Sequence, residues 1–116
     1  MYNKFLLIGS GSSIYEIKNV LSSLALEVEI ANVYSEIIPR LRKAEIVIFD
    51  RDSYLSNPRL MKNILNTLGR SEKDFVILSR EKSTSAVFAA KESGAADYIL
   101  KPYNVREVNL RLSAIL

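Results

Sequence analysis

The sequence predicts an α/β fold: a single domain in which the five strands of one parallel sheet alternate with five helices. Three observations carry that prediction. Short apolar runs recur at Lys4 to Ile8, Glu45 to Phe49, Phe75 to Leu78 and Tyr98 to Leu100. They are continuous, as in strands covered on both faces. The segments between them repeat apolar residues at helical spacing. Three of the runs also end on a polar residue. Asp50 follows Ile46-Val47-Ile48-Phe49, Ser79 follows Phe75-Val76-Ile77-Leu78, and Lys101 follows Tyr98-Ile99-Leu100. In an open parallel sheet such strand ends face one crevice.

The first strand runs from Lys4 to Ile8, and Gly9-Ser10-Gly11-Ser12 turns the chain. Ser13 and Glu16 have capping-box spacing, so the first helix is expected to start near Ile14. Ile14, Ile17, Leu21 and Leu24 form its buried stripe. Leu26, Val28 and Ile30 alternate with Glu27 and Glu29, the pattern of an edge strand with one wet face. Ser35 is placed to cap a short second helix through about Lys43, with Pro39 in or near its first turn, where a missing N–H does least harm. Glu45 to Phe49 is the third strand. Asn57-Pro58 sets a cap and a first-turn proline before the third helix. Leu60, Ile64, Leu65 and Leu68 line that helix, and Gly69 is expected to end it in a left-handed conformation. Phe75 to Leu78, Thr84 to Ser93 (ended by Gly94) and Tyr98 to Leu100 make the fourth strand, fourth helix and fifth strand. Asn104 and Glu107 have capping-box spacing, and Val105, Val108, Leu112 and Ile115 line the last helix. Such alternation implies crossover connections and a parallel sheet. The expected strand order is 2-1-3-4-5, the flavodoxin-like winding, with its switch point between the first and third strands.

Composition narrows the chemistry. The 116 residues form one domain, 48% hydrophobic, with material for a packed core. There is no Cys, hence no disulfide framework and no thiolate metal site. There is no His, which removes the usual general base and argues against transition-metal chemistry. The net charge of +3 is mild. Lys18, Arg40, Arg42, Lys62, Arg70, Lys82 and Lys91 are scattered along the chain, so no nucleic-acid surface is expected. No apolar run reaches membrane-spanning length and no signal-peptide layout opens the chain, which makes cytoplasmic residence the default expectation.

The run Gly94-Ala95-Ala96-Asp97-Tyr98-Ile99-Leu100-Lys101-Pro102-Tyr103, taken with Asp50 and Ser79, resembles the receiver domain of two-component response regulators over essentially the whole chain. The resemblance implies a phosphorelay signalling domain, not an ordinary enzyme. It implies that Asp50 is the phosphoacceptor-equivalent residue, and that Ser79 and Lys101 contact the phosphoryl group. It makes Pro102 the family's cis-proline and Tyr98 the aromatic that changes rotamer in responsive receivers. It implies a sensor histidine kinase or another signalling protein as partner. It also offers a face for a partner or a homodimer on the fourth helix, fifth strand and fifth helix, with Lys91, Tyr98, Tyr103, Arg106 and Arg111. Phe88 lies there too, but is expected in the core. The chain stops about where a receiver's last helix stops, which leaves room for an effector domain beyond it.

The resemblance fails in one place that decides mechanism. Receivers hold Mg²⁺ with an acidic pair at the end of the first strand, where this chain has Gly9-Ser10. Mg²⁺ wants octahedral oxygen ligands, usually one or two carboxylates plus waters. Glycine offers none and serine only a neutral hydroxyl, so any site at Asp50 is expected to be weak or absent. Asp52 is the one nearby acid, and not at a ligand position of the family. The family's Pro and Gly after the acceptor are here Tyr54 and Pro58, and Arg51 adds a charge beside the site. Phosphorylation is therefore expected to be weakened or lost, with Lys101 and Asp50 forming a standing ion pair. The rival reading is a small-molecule binder in which the Gly9-Ser10-Gly11-Ser12-Ser13 loop holds a nucleotide phosphate at the start of a helix. Ile14 stands where a dinucleotide fingerprint wants its third glycine.

Overall fold

The computed structural model describes residues 2–115. Its elements are β1 (Tyr2–Ile8), α1 (Ile14–Ser22), β2 (Ala25–Ala31), α2 (Ile37–Leu41), β3 (Ile46–Asp50), α3 (Pro58–Arg70), β4 (Phe75–Ser79), α4 (Thr84–Glu92), β5 (Asp97–Leu100) and α5 (Val105–Ser113). Two 3₁₀ turns, Tyr34–Glu36 and Arg51–Tyr54, lead out of β2 and β3. The five strands pair in parallel in the order β2-β1-β3-β4-β5, as the sequence predicts.

One apolar cluster lies on each face of the sheet. Ile14, Ile17, Leu21 and Leu24 of the α1 segment and Val108 and Leu112 of α5 pack on Phe5, Leu7, Ile46, Ile48, Val76, Leu78 and Ile99. Ile37 and Leu41, Ile64 and Leu68, and Ala90 pack on Leu6, Ile8, Val47, Phe49, Phe75, Ile77 and Tyr98. Burying one such aliphatic side chain contributes roughly 1.5–3 kcal/mol. With both faces covered, β3 and β4 are buried at every residue, polar ends included. Pairing Asp50 with Leu78, and Ser79 with Leu100, brings the carboxyl ends of β3, β4 and β5 to one corner.

Several local expectations are corrected. Ser13 makes no side-chain cap; it is already in the helical region after Gly11 turns at positive φ, so its hydroxyl faces no free N–H of the first turn. Ser35 lies inside a 3₁₀ turn and caps nothing. The Glu36 carboxylate accepts from the Asn32 and Val33 N–H groups instead, and α2 ends at Leu41. Arg40 binds the same carboxylate at 2.7 Å and holds Glu36 below its ordinary pKa. Gly69 does not end its helix. It lies inside α3 because a Cβ there would approach the Ser93 carbonyl oxygen to 2.7 Å. Glu72, two residues past the helix end, takes the positive φ. Gly94 does turn the chain at positive φ after α4, and Asn57 and Asn104 cap α3 and α5 through Leu60 and Glu107 N–H. Leu26 is 75% exposed on the edge strand, and Val105, in the first turn of α5, is also exposed. Phe88 is 63% exposed, because α4 meets the sheet with the small side chains of Ala86 and Ala90 together with Val87.

Candidate functional site

The site is built by β3, β4 and β5 and by the 3₁₀ turn that follows β3. Asp50 is the last residue of β3 and 1% exposed. In a 3₁₀ turn residues i and i+3 eclipse, which lays Ser53 over Asp50. The Ser53 hydroxyl faces Asp50 Oδ2 at 2.5 Å and Ser10 O at 3.1 Å, and accepts the Ser10 N–H at 3.0 Å. A hydroxyl has one proton, and the nearer carboxylate oxygen takes it. Tyr54 anchors the turn: it is buried, and its ring stacks on Phe49 with centroids 5.3 Å apart.

Lys101 reaches the other oxygen, Asp50 Oδ1, over 2.6 Å. Its ammonium also meets Asp52 Oδ2 at 3.1 Å. Asp52 in turn accepts from the Ser79 hydroxyl at 3.0 Å and from the Arg80 N–H at 3.1 Å. Ser79, wholly buried, also accepts from the Glu81 N–H at 3.0 Å and from Arg51 Nη1 at 3.4 Å. Its one proton and both lone pairs are thereby engaged. Two carboxylates thus face one lysine, with the Arg51 guanidinium at the rim.

The sequence-derived trio Asp50, Ser79 and Lys101 does converge, but Asp50 and Ser79 are linked only through Lys101 and Asp52. Sequence reasoning gave Asp52 a minor place and missed Ser53. The signal available was the offset of three from Asp50, which places a side chain over the acid if the chain enters a 3₁₀ turn. Tyr98 is 7% exposed and donates to the Glu81 carbonyl at 2.8 Å. The Lys101–Pro102 bond is cis and Pro102 is exposed. Tyr103 packs half-buried beside the α1–α5 cluster. Burial, then the charge of Asp50, push the Tyr54 and Tyr103 phenols up to about 12. Arg111 is bound to Asp97 at 3.1 Å, tying α5 to β5.

The donors at this corner do not fit a magnesium cage. Gly9 and Ser10 bring no carboxylate, and the described residues hold no cluster of three acidic, His or Cys side chains. A Cβ at Gly9 would lie 2.3 Å from Ile14 Cδ1 and 3.1 Å from Ser53 Oγ, so any side chain there requires Ile14 to move aside. Ser53 covers one Asp50 oxygen and Lys101 the other. The Gly9–Ser13 loop is also partly committed, with the Ser10 N–H on Ser53 and the Ile14 N–H directed at Gly11 O. Beside it a cleft of about 550 Å³ runs between Glu16, Ile17 and Val20 of α1 and Arg80, Pro102 and Tyr103.

No protein-family model matches this sequence, and no curated protein matches it. Solved structures share its fold. Chemotaxis protein CheY4 of Vibrio cholerae is 20% identical over the full length of both chains, with a TM-score of 0.78. A response regulator receiver domain protein of Clostridium thermocellum is 21% identical over 97% of this chain and 92% of that one, with a TM-score of 0.77. Response regulator DrrB of Thermotoga maritima, an OmpR/PhoB homolog, is 19% identical with a TM-score of 0.76. There the match covers 99% of this chain but 52% of DrrB, so this chain spans about half its length. At these identities the fold is what is shared: the chain has the receiver-domain fold, five parallel strands wound 2-1-3-4-5. Among the described residues no helix is long and apolar enough to cross a membrane.

Proposed function

We propose that this chain is a signalling domain of the receiver kind, in which magnesium-dependent phosphorylation of Asp50 is weakened or lost and output runs through protein contacts. One observation carries the reading: both oxygens of the buried Asp50 carboxylate are already engaged, by Lys101 at 2.6 Å and Ser53 at 2.5 Å. To attack a phosphorus centre, Asp50 would have to use a remaining lone pair of an oxygen whose charge Lys101 or Ser53 already draws on, which makes it a poorer nucleophile. Negative charge on the transferring group then needs a neutraliser, usually a divalent ion. At this corner Lys101 is shared between two acids, and Gly9 and Ser10 supply no carboxylate to recruit a cation.

Signalling by contact then falls to exposed residues of α4 and α5. Phe88 of α4 and Arg106 of α5 are exposed there, while Tyr103 lies half-buried against the α1–α5 cluster. Aromatic and arginine side chains are the types enriched at interface hot spots. Partners of this reading are kinases or other signalling proteins, or a second copy of the chain.

Intact mass after acetyl phosphate treatment tests the proposal, with and without Mg²⁺, on the wild type and on Asp50→Asn. Little or no adduct is expected on the wild type and none on Asp50→Asn. A near-complete magnesium-dependent phosphoryl adduct on the wild type, absent from Asp50→Asn, overturns it.

A further inference from the structure

We propose that Asp52 is a resident ligand: its carboxylate fills an oxyanion pocket of the domain and thereby holds Tyr98 in its inward position. This deepens the receiver reading above and rests on it for the meaning of the two states, though not for the occupancy itself.

Three donors from two strand ends converge on this one side chain. The Ser79 hydroxyl and the Arg80 N–H come from the end of β4, and the Lys101 ammonium comes from the end of β5. A hydroxyl, a main-chain N–H and an ammonium aimed at one point make a site for a small oxyanion such as phosphate or sulfate. The site also abuts Asp50, because the same ammonium lies 2.6 Å from Asp50 Oδ1. A phosphoryl group carried on Asp50 would need those three donors. Asp52 already has them, and its attachment to the 3₁₀ turn gives it an effective concentration no free anion matches.

The pocket is wired outward. Ser79 gives its proton to Asp52 and accepts the Glu81 N–H, and the Glu81 carbonyl accepts the Tyr98 hydroxyl. The chain Asp52–Ser79–Glu81–Tyr98 is unbroken, and Tyr98 packs in the cluster that holds Ala90 of α4. Loss of the carboxylate leaves Ser79 without its acceptor and frees the Glu81 segment to shift. An anion bound in the vacated pocket restores the acceptor. The occupant and the free anion are thus competitors for one state of the α4–β5 face.

The test is NMR titration of the full chain with inorganic phosphate, following the Arg80 and Glu81 amides and the Tyr98 ring. Wild type is expected to show no saturable response. Asp52→Ala is expected to bind phosphate at least about tenfold more tightly, with saturable shifts at both amides. Its Tyr98 ring signals should differ from wild type without phosphate and return toward wild type with it. Asp52→Ala/Ser79→Ala should lose the response. Asp52→Asn keeps an acceptor for Ser79 but no charge for Lys101; it decides the matter should the alanine variant not fold, because phosphate should displace the neutral amide where it cannot displace the carboxylate. Equal phosphate binding by wild type and the Asp52 variants overturns the proposal, as does a Tyr98 signal indifferent to them. Failure of the reading that phosphorylation is weakened or lost is separate: it appears as an efficient magnesium-dependent phosphoryl adduct on wild-type Asp50, with the titration unaffected.

Discussion

Tyr98 donates its hydroxyl to the main-chain carbonyl of Glu81 across 2.8 Å, joining the middle of β5 to the segment after β4. Removing that hydroxyl breaks one hydrogen bond in a largely buried place. Tyr98→Phe is expected to lower stability by about 0.5–1.5 kcal/mol, measured by urea unfolding. A change of zero means that the Glu81 carbonyl finds water as easily.

Lys101 and Asp50 form a buried pair, and truncating one partner strands the other's charge. Lys101→Met is expected to cost roughly 3 kcal/mol. Adding Asp50→Asn should recover much of that loss, so the double-mutant cycle in urea gives strong coupling. Additive losses would mean that the two groups do not act as a pair.

Alkaline pH probes two phenols, Tyr54 buried and Tyr103 half-buried. Tyr54 and Tyr103 stay protonated to about 12 when folded, against 10.0 for the free group. The unfolded chain loses these protons first, so stability is intact below pH 10 and falls as pH rises toward 12. The Tyr54 shift is worth at most roughly 2–3 kcal/mol, and that of the half-buried Tyr103 less, because solvent screens it. The Tyr54 hydroxyl is also buried with no partner. Tyr54→Phe is therefore expected to raise stability at neutral pH by about 1 kcal/mol and to flatten the alkaline loss. Urea midpoints from pH 8 to 12 check both; a less stable Tyr54→Phe protein would contradict the account.

Gly69 separates two rules. In a helix interior alanine is favoured over glycine by about 0.8–1 kcal/mol. Here the added methyl meets a main-chain oxygen at 2.7 Å, which no side-chain rotation relieves. Gly69→Ala is expected to be destabilising by about 1–3 kcal/mol. A raised thermal midpoint would show that α3 and α4 separate freely.

Gly9 is confined by a side chain, so its strain is relievable. Gly9→Ala is expected to cost about 1–3 kcal/mol. Less is expected in an Ile14→Val background, which removes the Cδ1 atom in the way. Chemical denaturation of the four proteins gives the coupling; independence would mean that Ile14 already has another rotamer available.

Much of this architecture was legible in the sequence, for identifiable reasons. Continuous apolar runs mark β1, β3 and β4 because both faces of those strands are covered. The α1 stripe is Ile14, Ile17 and Leu21; Leu24 lies past the helix end yet packs in the same cluster. The corner could be read because Asp50, Ser79 and Lys101 each directly follow such a run. What escaped depends on contacts between distant segments. Gly69 looks like a helix stop until Ser93 is placed against it, and Phe88 looks like core until α4 is seen resting on alanines. Ser53 and Asp52 escaped because their roles depend on how tightly the chain coils after β3. Neither residue has a strong preference of its own for such a turn.

That tight coil has a practical consequence. Asp50, Asp52 and Ser53 lie within four consecutive residues, with Tyr54, stacked on Phe49, as the peg that seats them. They behave as one cassette. Inserting a single residue between Asp50 and Asp52 would rotate Asp52, Ser53 and Tyr54 out of place while leaving Asp50 and the sheet beneath untouched, and the reverse operation, grafting Arg51 to Tyr54 onto another domain of this fold, would carry the two side chains that meet the corner but not their partners Ser79 and Lys101.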